Sequence, residues 1–112
     1  MRNAVNSLAI SPDGQNIVSC SADRTINICN FDTGELIHTL TGNAKVIAIS
    51  PDSQTLVSGG GKEINIWEMG AGQLLNTLGS YSPEVTSVAI SSDGQMLVTG
   101  GSDGTIQIWR VR

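Results

Sequence analysis

Residues Val85–Trp109 read VTSVAISSDGQMLVTGGSDGTIQIW and contain three short apolar runs separated by turn-forming residues. The runs are rich in valine, isoleucine and threonine, whose branched side chains are typical of β-strands. Ser-Asp-Gly stands after the first run and again after the second. Because aspartate and glycine favour tight turns, the stretch predicts three consecutive antiparallel strands with short connections.

The same pattern occurs twice earlier in the chain. Ile10–Gly14 reads ISPDG, Ile49–Ser53 reads ISPDS and Ile90–Gly94 reads ISSDG, so equivalent positions recur at intervals of about 40 residues. A period near 40 combined with strand-type patterning indicates the blades of a β-propeller rather than a helical array. The chain is therefore predicted to be all-β.

Extended over the whole chain, the pattern predicts eleven strands in three consecutive antiparallel blades. The blades are expected at residues 4–41, 42–79 and 80–112, within a single repeat region. Four strands are predicted in each of the first two blades and three in the last, whose outer strand is missing. Since the inner strands are apolar on both faces, each sheet is expected to lie between neighbouring sheets.

One turn of the second repeat differs in sequence from the equivalent turns of the other two repeats. Gly14 and Gly94 are expected to adopt the positive φ of a bulged hairpin, which glycine adopts without steric cost. Ser53 occupies the same position in the second repeat. We expect a strained turn there, because a side chain disfavours positive φ.

With these repeats in view, the chain resembles the WD40 repeat family over essentially its whole length. The clearest matches are Ser102–Trp109, reading SDGTIQIW, and the preceding Val88–Gly94, reading VAISSDG. The resemblance implies β-propeller blades and a non-catalytic scaffold that binds other proteins. It names no partner.

The resemblance also implies a structural hydrogen-bond network inside each blade, in which a serine or threonine, an aspartate and a tryptophan take part. The positions that match are Thr99, Asp103 and Trp109 in the third blade, Ser19 and Asp23 in the first, and Ser58 and Trp67 in the second. Cys29 replaces the tryptophan of the first blade, and the family's Gly-His pair is absent throughout. No blade is therefore expected to form the complete network.

The resemblance also implies that the blades form a disc-shaped propeller and that one rim of this disc is the partner-binding surface. It is formed by the turns between second and third strands and by the links between blades. The candidate residues there are Arg24, Lys45, Lys62, Tyr81 and Glu84. Tyr81 is the foremost candidate, because exposed aromatic side chains are enriched in binding hot spots.

Charge and composition exclude several classes of protein. The net charge is −4, and the six basic residues are scattered, so the clustered Lys and Arg of a nucleic-acid site are absent. No apolar run reaches the roughly 18 residues that span a bilayer, so a membrane protein is not expected. A composition of 39% hydrophobic and 14% charged residues indicates a packed globular protein.

The two cysteines are predicted to be reduced and buried. Pairing outward from the turn between them places Cys20 opposite Ile26 and Cys29 opposite Ile17, too far apart for a disulfide. Free thiols are typical of a cytosolic protein, and a cytoplasmic location is expected.

No pattern predicts an enzyme, a metal site or a cofactor. His38 is the only histidine and is expected at the surface of an outer strand. Asp13, Asp52 and Asp93 recur, but each belongs to a turn that explains it. Gly59–Gly61 lacks the following Lys-Ser/Thr pair and the helix of a phosphate loop.

Two functional hypotheses remain open, and an enzyme ranks behind both. In the first, the chain is an interaction scaffold that closes its propeller by self-association, and its open third blade could also accept a strand from a partner. Propellers have about four to eight blades, so a dimer with six is favoured over a trimer with nine. In the second, the chain is the C-terminal piece of a longer multi-blade protein.

Overall fold

The computed structural model describes residues 5–42, 44–60, 63–79 and 84–110. All regular elements in these ranges are strands, and the predicted eleven are confirmed. They are β1 Val5–Ile10, β2 Asn16–Ser21, β3 Thr25–Asn30, β4 Leu36–Thr41, β5 Val46–Ile49, β6 Thr55–Gly60, β7 Glu63–Glu68, β8 Gln73–Gly79, β9 Val85–Ile90, β10 Met96–Gly101 and β11 Ile106–Arg110.

The strands form three antiparallel sheets of four, four and three strands, as the sequence predicts. We call them sheet 1 (β1–β4), sheet 2 (β5–β8) and sheet 3 (β9–β11). Within each sheet every strand pairs with its neighbour in the sequence, because the short turns favour an up-and-down meander. Among the described strands, β11 pairs with β10 alone and forms an edge of sheet 3.

Sheet 2 lies between the other two sheets, and its central strand β7 is buried on both faces. Strand alternation directs Ile64 and Ile66 toward sheet 3, while Trp67 lies in the cluster shared with sheet 1. The sheet 1–sheet 2 cluster comprises Val18, Cys20, Ile26, Ile28, Leu40, Ala44, Leu56, Trp67 and Met69. The sheet 2–sheet 3 cluster comprises Val57, Ile64, Ile66, Val85 and Leu97. The molecule is therefore a stack of sheets with a hydrophobic layer in each gap.

The cysteine register agrees with the sequence prediction. Cys20 pairs with Ile26 and Cys29 with Ile17, and both thiols are free. Burial of both was expected, but only Cys20 is buried, and its burial raises the pKa of its thiol. Cys29 is half-buried, because alternation places it on the face of sheet 1 that points away from sheet 2.

The turns after the first strand of each sheet have positive φ where the sequence predicts it. Gly14 has φ 74°, Gly94 has φ 75° and Ser53 has φ 62°. The prediction of a strained turn at Ser53 is confirmed, since a serine adopts this conformation at a steric cost. The Ser53 hydroxyl also accepts a hydrogen bond of 3.1 Å from the Asp13 N–H, which connects the turns of sheets 1 and 2.

A serine two residues before the aspartate stabilises each of these turns, a role that was not predicted from the sequence. The Ser11 hydroxyl donates to Asp13 and accepts from the Asn16 N–H. Ser50 and Ser91 make the equivalent bonds in sheets 2 and 3. The recurring Ser-x-Asp spacing was the available signal. The serine hydroxyl is the main cause that lowers the pKa of Asp13, and Ser91 does the same for Asp93.

A second strained position was not anticipated. Arg24 has φ 69° in the turn between β2 and β3, where the equivalent residue of sheet 3 is Gly104 with φ 89°. In this turn the Arg24 N–H donates to the Ser21 carbonyl, and the Arg24 carbonyl accepts from the Gly42 N–H. The Arg24 side chain adds strain to the turn, since a residue with a Cβ adopts positive φ at a steric cost.

Replacing Arg24 with glycine is expected to raise the free energy of unfolding by about 0.5–1 kcal/mol. The relief of left-handed strain exceeds the entropic cost of glycine in the unfolded chain. Urea unfolding measures the change, and Gly104→Arg is the matched control that should lose a similar amount. Destabilisation by Arg24→Gly would show that the arginine side chain contributes contacts that outweigh the strain.

Candidate interaction surfaces

The tryptophans and hydroxyl residues of the predicted network meet in two of the three sheets. The Trp67 indole N–H donates to the Ser58 hydroxyl over 3.0 Å, and both side chains are buried. The Trp109 indole N–H donates to the Thr99 hydroxyl over 3.3 Å. Both pairs lie on the face of their sheet that points toward the preceding sheet. Each one thus satisfies two polar groups inside a largely apolar layer.

The aspartates predicted in the same network lie elsewhere, in exposed turns. Asp103 accepts hydrogen bonds from the backbone N–H and the hydroxyl of Thr105, over 2.9 and 2.7 Å. These bonds lower the pKa of Asp103. Asp23 accepts the equivalent two bonds from Thr25. The structure therefore places the tryptophan–hydroxyl pair and the aspartate–threonine turn in separate sets of hydrogen bonds.

In sheet 1 the same positions hold Ser19 and Cys29, and both are half-buried. A cysteine cannot reproduce the indole N–H or its volume. These two residues lie on the face of sheet 1 that no other described part of the chain covers. The departure of the first repeat from the family pattern is thus located at an outer face of the stack.

Three of the five predicted rim residues are described, and they lie along one edge of the stack. Links between sheets run beside the turns between second and third strands, as backbone hydrogen bonds from Gly42 to Arg24 and from Ser102 to Glu84 show. Lys45 follows the first of these links. Lys62 and Tyr81 fall outside the described residues.

Lys45 and Glu84 form a salt bridge that sequence reasoning did not predict. The Lys45 ammonium lies 2.7 Å from a Glu84 carboxylate oxygen, and both side chains are largely exposed. The hydrogen bond and charge of Lys45 lower the pKa of Glu84. The two residues are 39 positions apart, about one repeat, which is why no local pattern shows the contact. An exposed pair of this kind adds little stability, so its charges remain available at the rim.

His38 is half-buried rather than exposed at the surface as expected. Its ring Nε2 lies 3.0 Å from the carbonyl oxygen of Gly70, in the turn before β8. A Cβ built on Gly72 would lie 2.9 Å from the same ring, so glycine is needed for this approach. His38 therefore connects the outer strand of sheet 1 to the turn that precedes the outer strand of sheet 2.

The two outer faces of the stack are apolar and exposed. On sheet 1, Leu8 is 66% exposed and Ile10 is also exposed. On sheet 3, Ile106 is 70% exposed and Ile108 is also exposed. Exposed apolar patches of this kind mark interaction surfaces on soluble proteins.

An open cleft borders the edge of sheet 3. It has a volume of about 380 Å³ and lies between the outer part of sheet 2 and the end of β11. Ile66, Leu75, Leu78 and Arg110 are among the residues that line it. Among the described residues, no three histidine, cysteine or acidic side chains converge as a metal site would require, and no helix there is long and apolar enough to cross a membrane.

The chain matches the family model described as WD domain, G-beta repeat, at residues 2–30, 34–68 and 72–110. The second and third matches begin just before an outer strand and end with the third strand of the next sheet. The sequence repeat is therefore offset by one strand from the structural sheet. An outer strand belongs to the repeat that follows its sheet.

Curated relatives include an uncharacterized WD repeat-containing protein of Synechocystis, 40% identical over 88% of this chain and 30% of its own length. Another is the small ribosomal subunit protein RACK1y of Oryza sativa, 32% identical over 96% of this chain and 34% of its own length. The solved structure of the RRP9 WD40 repeats superimposes with a TM-score of 0.93 at 25% identity, covering 99% of this chain and 36% of that one. The chain thus spans about a third of the length of these relatives.

Proposed function

Because the chain belongs to the WD40 repeat family, we propose that it acts as a non-catalytic scaffold for protein–protein interaction. The single observation that supports this role best is the exposure of apolar surface on both outer faces of the stack. The rim adds charged side chains at Arg24, Lys45 and Glu84 for contacts with a partner. The free thiols of Cys20 and Cys29 support a cytosolic location.

We further propose that the propeller is completed by self-association of the chain. Three sheets are fewer than the four to eight blades of typical propellers. Two copies would supply six sheets and three copies nine, so a dimer fits the usual range better. In such a ring every sheet would have a neighbour on both faces.

The second candidate is that the chain is one segment of a longer multi-blade propeller. The observation in its favour is the coverage, since the chain spans 30% of the Synechocystis relative and 34% of RACK1y. In that case the remaining blades would cover the outer faces. The open edge of β11 and its cleft would then be filled by a strand from elsewhere in the longer protein.

A charge-swap variant tests the role of the rim. Combining Lys45→Glu with Glu84→Lys keeps an opposite-charge pair but exchanges the two charges, so the fold should be retained. We expect a partner captured from cell extract by the wild-type chain to be lost by this variant. Equal capture by both proteins would contradict a binding role for this part of the rim.

A further inference from the structure

We propose that a second copy of this chain binds head to tail, with the outer face of sheet 3 on the outer face of sheet 1. The proposal rests on the self-association proposed above and defines which surfaces meet. For each sheet, the face toward the following sheet is here called the forward face and the opposite one the rear face. The two faces that the described part of the chain leaves uncovered are then the forward face of sheet 3 and the rear face of sheet 1.

The forward face of sheet 3 repeats the two forward faces that are already buried inside the molecule. Strand register makes the positions equivalent. Val98, Gly100, Ile106 and Ile108 correspond to Val57, Gly59, Ile64 and Ile66 of sheet 2, and to Val18, Cys20, Ile26 and Ile28 of sheet 1. Within the chain these positions always pack against a rear face.

The rear face of sheet 1 likewise repeats the two buried rear faces. Leu8, Ile10, Ile17 and Ser19 correspond to Ile47, Ile49, Leu56 and Ser58 of sheet 2, and to Val88, Ile90, Leu97 and Thr99 of sheet 3. Polar positions match too, since the Thr39 hydroxyl donates to Asn27 as Thr77 donates to Asn65. A second copy therefore presents the kind of surface that each free face already meets inside the chain.

The charges of the two faces are compatible with burial. Strands β1–β4 contain no aspartate, glutamate, lysine or arginine, and in β9–β11 Arg110 is the only charged residue. Head-to-tail contact therefore places few charged side chains in the interface. Closing a ring of two copies in this way covers all four outer faces. A contact between two forward faces would instead bring together surfaces that do not meet within the described part of the chain.

The contact between copies should be looser than the contacts within one. Trp67 and Trp109 complete the rear faces of sheets 2 and 3, whereas Cys29 holds that position in sheet 1. The smaller side chain leaves space where an indole would pack, and packing defects weaken an interface. We therefore expect a reversible ring that opens on dilution, and Cys29 reports its closure because the thiol becomes covered.

Equivalent positions also indicate which side chains meet across the new contact. A Cβ on Gly59 would lie 3.3 Å from Val88, and Gly59 pairs with Ile64. By equivalence, Leu8 of the second copy lies next to Gly100 and Ile106. Both Leu8 and Ile106 are exposed in the single chain, so substitutions there should leave its fold intact.

The variants Leu8→Lys and Ile106→Glu test the proposed contact between Leu8 of one copy and Ile106 of the other. Light scattering measures the mass of each variant alone and of their equimolar mixture. Each variant alone buries unpaired charges at both contacts of the ring, which should weaken association at least about 100-fold. An equimolar mixture should again give the mass of two chains. The mixed ring has one wild-type contact and one contact that pairs lysine with glutamate. Circular dichroism checks that each variant is folded, and Cys29 should react with a thiol reagent faster in either variant than in the mixture.

Failure of the mixture to associate would overturn the head-to-tail arrangement. Association of Leu8→Lys alone with unchanged strength would also overturn it, while leaving self-association itself supported. A wild-type chain that stays monomeric at every concentration would overturn both proposals, yet the scaffold role tested at the rim would be untouched.

Discussion

Replacing Trp67 with alanine is expected to lower the free energy of unfolding by about 3–5 kcal/mol. The side chain is only 6% exposed and packs in the layer between sheets 1 and 2. Its loss leaves a cavity and removes the hydrogen bond to Ser58, whose hydroxyl is fully buried. An unsatisfied buried hydroxyl adds to the cost of the cavity.

One variant at this site separates packing from hydrogen bonding, and one at the equivalent position of sheet 3 gives a comparison. Trp67→Phe keeps most of the apolar volume, so it should cost less than Trp67→Ala. Trp109→Ala should also cost less, because Trp109 is half-buried and its bond to Thr99 is longer at 3.3 Å. Urea unfolding measures all three variants. A loss below about 1 kcal/mol for Trp67→Ala would show that the indole is not part of a packed layer.

Ile64→Ala and Ile106→Ala are expected to differ strongly although the residues occupy the same repeat position. Ile64 is fully buried, and its truncation should cost about 2–5 kcal/mol. Ile106 is 70% exposed in the single chain, so its truncation should change the stability of the monomer by less than about 0.5 kcal/mol. Urea unfolding at concentrations where light scattering gives the mass of one chain makes the comparison.

The same pair of variants behaves differently once the chain associates. Ile106→Ala should then weaken self-association, because Ile106 faces the second copy in the proposed ring. Equal costs for the two variants at low concentration would mean that Ile106 is covered within one chain. That result would contradict the stacking order of the sheets.

The fold was largely predictable because three copies of one pattern report the same local structure. The alternation of β7 and the turn residues Asp13 and Gly14 predict strands and turns without any long-range information. The strain at Ser53 followed from a comparison of copies, since only one of the three lacks glycine. The strained Arg24 could have been found in the same way, by alignment with Gly104.

The surfaces were less predictable, because they depend on contacts between repeats. The Lys45–Glu84 pair joins two links one repeat apart, and the approach of His38 to Gly70 depends on how outer strands pack. The partial exposure of Cys29 depends on which face of sheet 1 is covered. A strand pattern that is apolar on both faces does not reveal this. The sequence therefore predicts the strands and turns of each sheet more fully than it predicts which surfaces pack against that sheet.

The solution mass of this chain as a function of concentration tests the central claim most directly. If the outer faces of sheets 1 and 3 complete each other, light scattering should show a mass that rises from 11.7 kDa toward twice that value as the concentration increases. A mass of 11.7 kDa at every concentration up to the hundreds of micromolar would contradict ring closure by a second copy.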